Sequence, residues 1–290
     1  MKKHLEGVPR GLRLMAGGAL SFSIMSALLK LAGETLPLFE IVTGRSLVVS
    51  VLSGWAVWRQ GHSFVPGEVR LVFQRAIFGF IALSCYFYAV IHLPLADATV
   101  LYFTNPVLTA LVASVVLREH MGMREVGWVA VSLAAVLLVA RPGFLFGAER
   151  ALDTTAVVLC LISAFFAAAS YVTIRSIRTD PPLLVVFYFS SVTVVLGLPI
   201  VALGFTPPSP LEVLIVLGVG VATHLGQLWI TWAFRLERAG RASAVGYLQI
   251  VFAAGWGWLL FDEVPDAWTW IGAAVITLAT LRISRIPPVR

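Results

Sequence analysis

His224, Gln227 and Thr231 recur at i, i+3 and i+7 with Gly220 one turn above, so their side chains share one helical face inside an apolar run. These residue types bind by hydrogen bonding and do not by themselves make or break bonds. An unsatisfied amide or imidazole in apolar surroundings is costly, so this face must meet either a neighbouring helix or a wet cavity. His224, the only histidine deep in such a run, favours the cavity. One repeat earlier, 144 residues back, the equivalent face is Phe80, Leu83 and Phe87, with Ser84 and Tyr88 adjoining. Another run holds Ser163, Phe166, Ser170 and Thr173 with Tyr171 beside them, and two more carry Tyr102 with Asn105 and Tyr247 with Gln249. Hydrogen-bonding groups on one side and rings on the other suit an amphipathic solute, such as an amino acid with an apolar or aromatic side chain. Aromatic residues at helical spacing are also ordinary packing, and the sequence leaves both readings open.

Three charges fall inside or at the edge of apolar runs. Arg45 is about nine residues into the second run, where a cation costs ~2.5–3.5 kcal/mol on insertion scales. Glu40 lies five residues earlier on a different face, so the two pair poorly within one helix. Lys30 lies near the end of the first run, shares a face with Ser23 and Ser26, and can reach the interface on its long stem. Lys30, Glu40 and Arg45 are therefore read as gating or structural charges. No carboxylate occupies the middle of any run, which leaves His224 and Glu40 as the candidates for a proton relay. A facilitator or exchanger is as compatible with this as an antiporter. No phosphate-binding loop, metal-ligand cluster or nucleophile–base pair is present, so neither a cofactor nor a catalytic residue is expected.

The elements that must position these residues are set by composition. Of 290 residues 59% are hydrophobic and 12% charged, about half the charged share of a soluble domain. Runs of ~20 apolar residues, each long enough to cross ~30 Å of hydrocarbon, are expected at 12–32, 36–58, 69–91, 96–117, 123–141, 153–175, 182–205, 210–234, 242–261 and 266–283. Their continuity excludes the alternating pattern of an outer-membrane barrel. The net charge of +6 does not signal nucleic acid, because seventeen Lys and Arg, Arg75 among them, fall to one side of these spans and only Arg141 and Arg150 to the other. By the positive-inside rule both termini of this multi-pass chain are cytoplasmic. Cys85 and Cys160 read as small core residues, and Trp256 and Trp258 as members of an interfacial aromatic belt.

The stretch Ala96–Glu119 has a cousin at Gly240–Glu263, with Ala98/Ala242, Val107/Val251, Ala110/Ala254 and Glu119/Glu263 matching in type. The chain therefore divides into two related halves: a tail over 1–11, a five-helix repeat over 12–141, a linker over 142–152, a second repeat over 153–283 and a tail over 284–290. Five spans per half is an odd number, so the second half lies upside down relative to the first. The expected fold is an all-α membrane protein of ten transmembrane helices in two inverted five-helix repeats, a layout that puts a site near the midplane. Pro106, after Asn105, predicts a kink in the fourth span. Ile250, after Gln249, predicts none in the ninth.

The Ala96-Asp97-Ala98…Pro106-Val107…Arg118-Glu119 run, Gly127, and the Leu-Leu-Val-Ala-Arg-Pro-Gly ending at 137–143 resemble the drug/metabolite transporter superfamily, specifically its EamA-type bacterial members. In the second half the resemblance is carried by Ala239-Gly240-Arg241-Ala242-Ser243-Ala244, Asp262-Glu263 and Gly272, and Lys30 and Arg45 also fit the pattern. The resemblance implies an exporter or exchanger of small metabolites, often amino acids, in the cell inner (plasma) membrane, with a cavity lined by spans one, three, four, six, eight and nine. The expected partners are a small-molecule solute and the lipid bilayer, in a monomer or homodimer, with no nucleic acid. An intramembrane enzyme on lipid-type substrates and a non-transporting structural or sensory subunit are the rival readings.

Overall fold

In hydrocarbon every backbone polar group must be satisfied within the protein, and apolar runs of this length achieve that as helices. The computed structural model describes residues 9–116, 122–140, 153–237 and 239–263, together with scattered positions between 267 and 282, and its regular structure is helical throughout. The linker and terminal tails expected from the sequence lie largely outside these described residues. The helices are α1 (Arg10–Ala32), α2 (Leu38–Arg59), α3 (Val69–His92), α4 (Leu95–Tyr102), α5 (Asn105–Val116) and α6 (Met123–Ala140). The second half contributes α7 (Thr154–Ser176), α8 (Pro182–Ala202), α9 (Pro210–Leu236), α10 (Ala239–Gly246) and α11 (Leu248–Phe261). Of these, α1, α2, α3, α7, α8 and α9 are each long and apolar enough to cross a membrane.

The two halves are built alike. Adding 144 to the first residue of α1, α2 and α4 gives the first residue of α7, α8 and α10. They also interlock rather than stand side by side. The broadest contacts pair α1 with α9, α3 with α7, and α2 with α8, so the first helix of each half lies on the third helix of the other. Matching serine bonds hold the two crossings: Ser21 Oγ donates to the Ala222 carbonyl at 2.8 Å and Ser163 Oγ to the Ala82 carbonyl at 2.6 Å. Small residues let the backbones approach. A methyl on Gly18 would already sit 3.5 Å from the Gly226 carbonyl oxygen, and the Phe22 ring lies across Gly226.

Carboxylates clip the joints at both ends. Asp180 accepts from the N–H of Gly67 (2.7 Å) and Glu68 (2.9 Å), while Glu68 accepts from the N–H of Arg178 (2.8 Å) and Thr179 (3.1 Å). Desolvation raises the Glu68 pKa, but these Thr179 and Arg178 donors outweigh it and hold the carboxyl below its ordinary value. At the other end Glu40 accepts from the Thr206 N–H at 2.6 Å. There Lys30 also pairs with Glu263, whose second oxygen accepts from the Leu95 N–H at 3.2 Å. Lys30 and Glu40 thus tie one half to the other.

Two expectations change. The fourth span is interrupted at Phe103–Thr104, as its proline suggests, but the ninth span is interrupted too, at Tyr247. Pro106 sits in the first turn of α5, where its missing N–H is no loss, and Asn105 Nδ2 donates back to the Tyr102 carbonyl at 2.8 Å. In the ninth span no proline follows the break, and Gly246 stands directly before it in close packing. A methyl on Gly246 would lie 3.1 Å from the Met15 terminal carbon and 3.3 Å from the Phe103 ring. The break beside it turns Tyr247 into the core against Phe103, ring centroids 5.3 Å apart. Phe103 and Tyr247 are themselves 144 residues apart, so equivalent breaks meet each other. The second change concerns Trp256, whose Nε1 donates to Ser23 Oγ at 3.1 Å inside the bundle, whereas Trp258 stays exposed.

Gly220 tests the tightness of these crossings, because a Cβ there would stand 2.5 Å from Val48 Cβ. Gly220→Val is expected to lower the melting temperature of the purified protein, with a cost of about 1–3 kcal/mol for overpacking. Gly127→Ala, where a Cβ meets nothing within 4 Å, is expected to melt no lower than the parent. Equal melting of the parent and the valine variant would contradict the close α2–α9 approach.

Candidate functional site

At mid-depth, where α1, α3, α7 and α9 surround the two helix breaks, a cavity of about 780 Å³ (its open mouth included) is lined by both halves. Its hydrogen-bonding wall holds Tyr102, Asn105, Ser170, Tyr171, Gln227 and Gln249. Its apolar wall is built from Phe22, Met25, Leu83, Phe87 and Phe189. Tyr102 and Tyr171, one from each half, share a hydroxyl–hydroxyl hydrogen bond of 2.8 Å. Asn105 and Gln249 come just after the two breaks at equivalent positions, which is why both amides reach the same space.

Among the described residues one charge lines this cavity, and it is Arg75. Counted from the sequence among the charges flanking the spans, Arg75 is instead 2% exposed and folded along α3 into the bundle. Its Nη2 donates to Gln227 Oε1 at 3.0 Å, and its guanidinium carbon stands 4.3 Å from the centroid of the Phe189 ring. Gly79, one turn further along, makes the room: a Cβ there would run into Arg75 Nη1 and stand 2.6 Å from the Phe189 ring. The clue in the sequence was depth, since Arg75 lies six residues beyond the start of α3 with a glycine four residues later. Arg45 is fully buried behind the cavity, 5.4 Å over Phe87 and 5.7 Å over Phe189.

Of the binding residues selected from the sequence, the cavity takes in Tyr102, Asn105, Ser170, Tyr171, Gln227 and Gln249. The rest lie elsewhere. His224 turns toward α2, its Nδ1 3.1 Å from Ser53 Oγ, and Thr231 Oγ1 donates to the Gln227 carbonyl at 2.6 Å within its own helix. A face at i, i+3, i+7 is about 60° wide, and here neighbouring helices divide it, α3 meeting Gln227 and α2 meeting His224. Tyr88 stacks on His92 at 4.0 Å between centroids, and Phe166 packs on Phe78 at 5.8 Å. Phe80 and Ser84 are half-buried outside the lining, and Tyr247 is fully buried beneath the cavity against Phe103. Sequence reading missed Phe189, which adds the seventh span to the six expected from the resemblance, and Phe22 and Met25, which share the first span with many other apolar residues. Among the described residues no group of three or more His, Cys, Asp or Glu could hold a metal ion.

Comparison with known proteins agrees with this architecture. Residues 9–141 and 154–285 each match the EamA-like transporter family. The pseudopaline exporter of Pseudomonas aeruginosa is 35% identical over 284 residues, covering 97% of this chain and 98% of the relative. Solute carrier family 35 member G1 of Mus musculus is 29% identical over 280 residues, covering 90% and 74% respectively. A crystal structure at 17% identity superposes with a TM-score of 0.70 over 93% of this chain and 96% of the other, which shows a shared fold. A repeat that matches twice and a cavity at the junction of the two copies lead to one assignment: the chain belongs to the EamA-like transporter family.

Proposed function

We propose that this transporter exports a small amphipathic metabolite through the mid-depth cavity by alternating access, from a bacterial inner membrane with both termini cytoplasmic. The observation that carries the reading is the shared cavity itself. Its polar groups come from α4, α5, α7, α9 and α11, and so from both repeats, which is where rocking of two inverted units gives access to each side in turn. The exporter among the relatives supports the outward direction. Its name makes pseudopaline the first solute to try, ahead of the free amino acids expected from the sequence, for which the relatives offer no support.

Alternating access requires an end that opens. The Lys30–Glu263 pair joins α1 of the first half to the segment after α11 of the second, and the Lys30 ammonium stands 5.2 Å from the centroid of the Phe261 ring. Both side chains are partly exposed, so the pair is a contact that separates at modest cost. We assign it as the clasp of the outer end.

Purified protein in proteoliposomes loaded with pseudopaline is expected to release it faster than empty-vector liposomes, with free amino acids as a second panel. Absence of movement of every solute in both panels would overturn the reading. His224→Ala is expected to leave transport within about twofold of the parent, since the imidazole faces Ser53; a loss beyond tenfold would put it back in the solute path. Lys30→Met is expected to keep solute binding in detergent and to change turnover at least fivefold, and unchanged turnover would remove the clasp from the mechanism.

A further inference from the structure

We infer that the cavity recognises its solute through a carboxylate, seated on the Arg75 guanidinium beside Gln227. This deepens the functional reading above and rests on the cavity being the solute site. A guanidinium carries five N–H donors in a planar fork. Here one nitrogen, Nη2, is engaged by Gln227, while Nε and Nη1 are buried with no hydrogen-bond partner. An uncompensated cation in this setting is costly, and it keeps its place because Gly79 clears a slot for it and the Phe189 face covers one side.

Among the described residues Arg75 has no counterion. None of the residues lining the cavity is acidic. The carboxylates that could compete are occupied at the ends of the bundle: Glu40 by the Thr206 N–H, Glu68 and Asp180 by each other's loops, Glu237 by Arg241 at 3.6 Å, and Glu263 by Lys30. A second cation adds to the deficit. Arg45 is fully buried with none of its three guanidinium nitrogens hydrogen-bonded, and it shares the Phe189 ring with Arg75. Two unpaired positive groups around one ring make the adjoining space attractive to an anion and hostile to a cation.

A singly charged carboxylate suits this space better than a phosphate monoester, whose charge of about −1.5 to −2 would need more compensation in a buried, largely apolar lining. The carboxylate is planar, matches two donors of the fork at once, and leaves its organic remainder to contact Phe22, Met25 and Phe87 on the apolar wall. An amine elsewhere on the solute would be received by the neutral acceptors Asn105, Gln249 and the Tyr102–Tyr171 pair, not by a charge.

The test is a melting-temperature titration of the detergent-purified protein at pH 7 with phenylacetate, phenylacetamide, phenethylamine and phenyl phosphate. Phenylacetate is expected to raise the midpoint saturably by several degrees, the amide and amine to leave it unchanged, and the phosphate to act at least tenfold more weakly than the acid. Arg75→Gln is expected to abolish the preference of acid over amide. Arg75→Lys, which keeps the charge and loses the fork, is expected to weaken phenylacetate at least tenfold while keeping that preference. Equal stabilisation by acid and amide, a stronger effect of the amine or the phosphate, no response to the acid, or an undiminished acid preference in Arg75→Gln would each overturn the inference. If the glutamine variant does not fold, the parent titration and the lysine variant decide it. Carboxylate binding without transport of any solute would overturn the export reading and leave this one standing, and transport without carboxylate preference would do the reverse.

Discussion

The crossing of α1 on α9 and of α3 on α7 is the contact on which the rest of the bundle depends. Each repeat gives its first helix to the third helix of the other, so neither half can enclose the cavity alone. In an apolar surrounding there is no hydrophobic drive to press helices together, and close approach must come from small residues and a few hydrogen bonds. Gly18 against Gly226 and the Ser21 and Ser163 bonds supply that approach. Everything at mid-depth is therefore held at the seam between two units and is subject to their relative motion.

The two helix interruptions matter because they meet at this seam. A continuous helix satisfies its own backbone and presents side chains to one neighbour at a time. The fourth span is interrupted at Phe103–Thr104 and the ninth at Tyr247, and just after these breaks Asn105 and Gln249 line one cavity from opposite halves. One break is followed by a proline in the first turn of the next segment, and the other is preceded by a glycine packed close to Met15 and Phe103. Different residues thus stand at equivalent interruptions, in keeping with the low strict identity between the repeats.

Arg75 illustrates how burial changes the meaning of a charge. Near the end of a span an arginine ordinarily reaches water on its long stem. Here the slot above Gly79 and the ring of Phe189 draw the guanidinium along the helix toward the centre. The same ring packs on Arg45, so two cations share a small volume that their own carboxylates, anchored at the joints, cannot reach. The clips at both ends and the charge at the centre are in this sense one arrangement: acids hold the halves together where water is near, and the interior is left positive.

Sequence by itself determined the membrane class, the repeat and its offset of 144, and the ends of most spans to within a few residues. Those properties depend on apolar length and on residue types repeated along the chain, both local to it. It also picked out Tyr102, Asn105, Ser170, Tyr171, Gln227 and Gln249, polar side chains on apolar helices that must turn inward somewhere. Only the tertiary structure decided which of those inward faces meet each other. The azimuth of each helix is set by its neighbours, and a difference of about 60° sends Gln227 to Arg75 and His224 to Ser53. Arg75, Trp256 and the break at Tyr247 were hidden for the same reason: each depends on a glycine, a ring or a serine whose contacts form only after the two halves interlock.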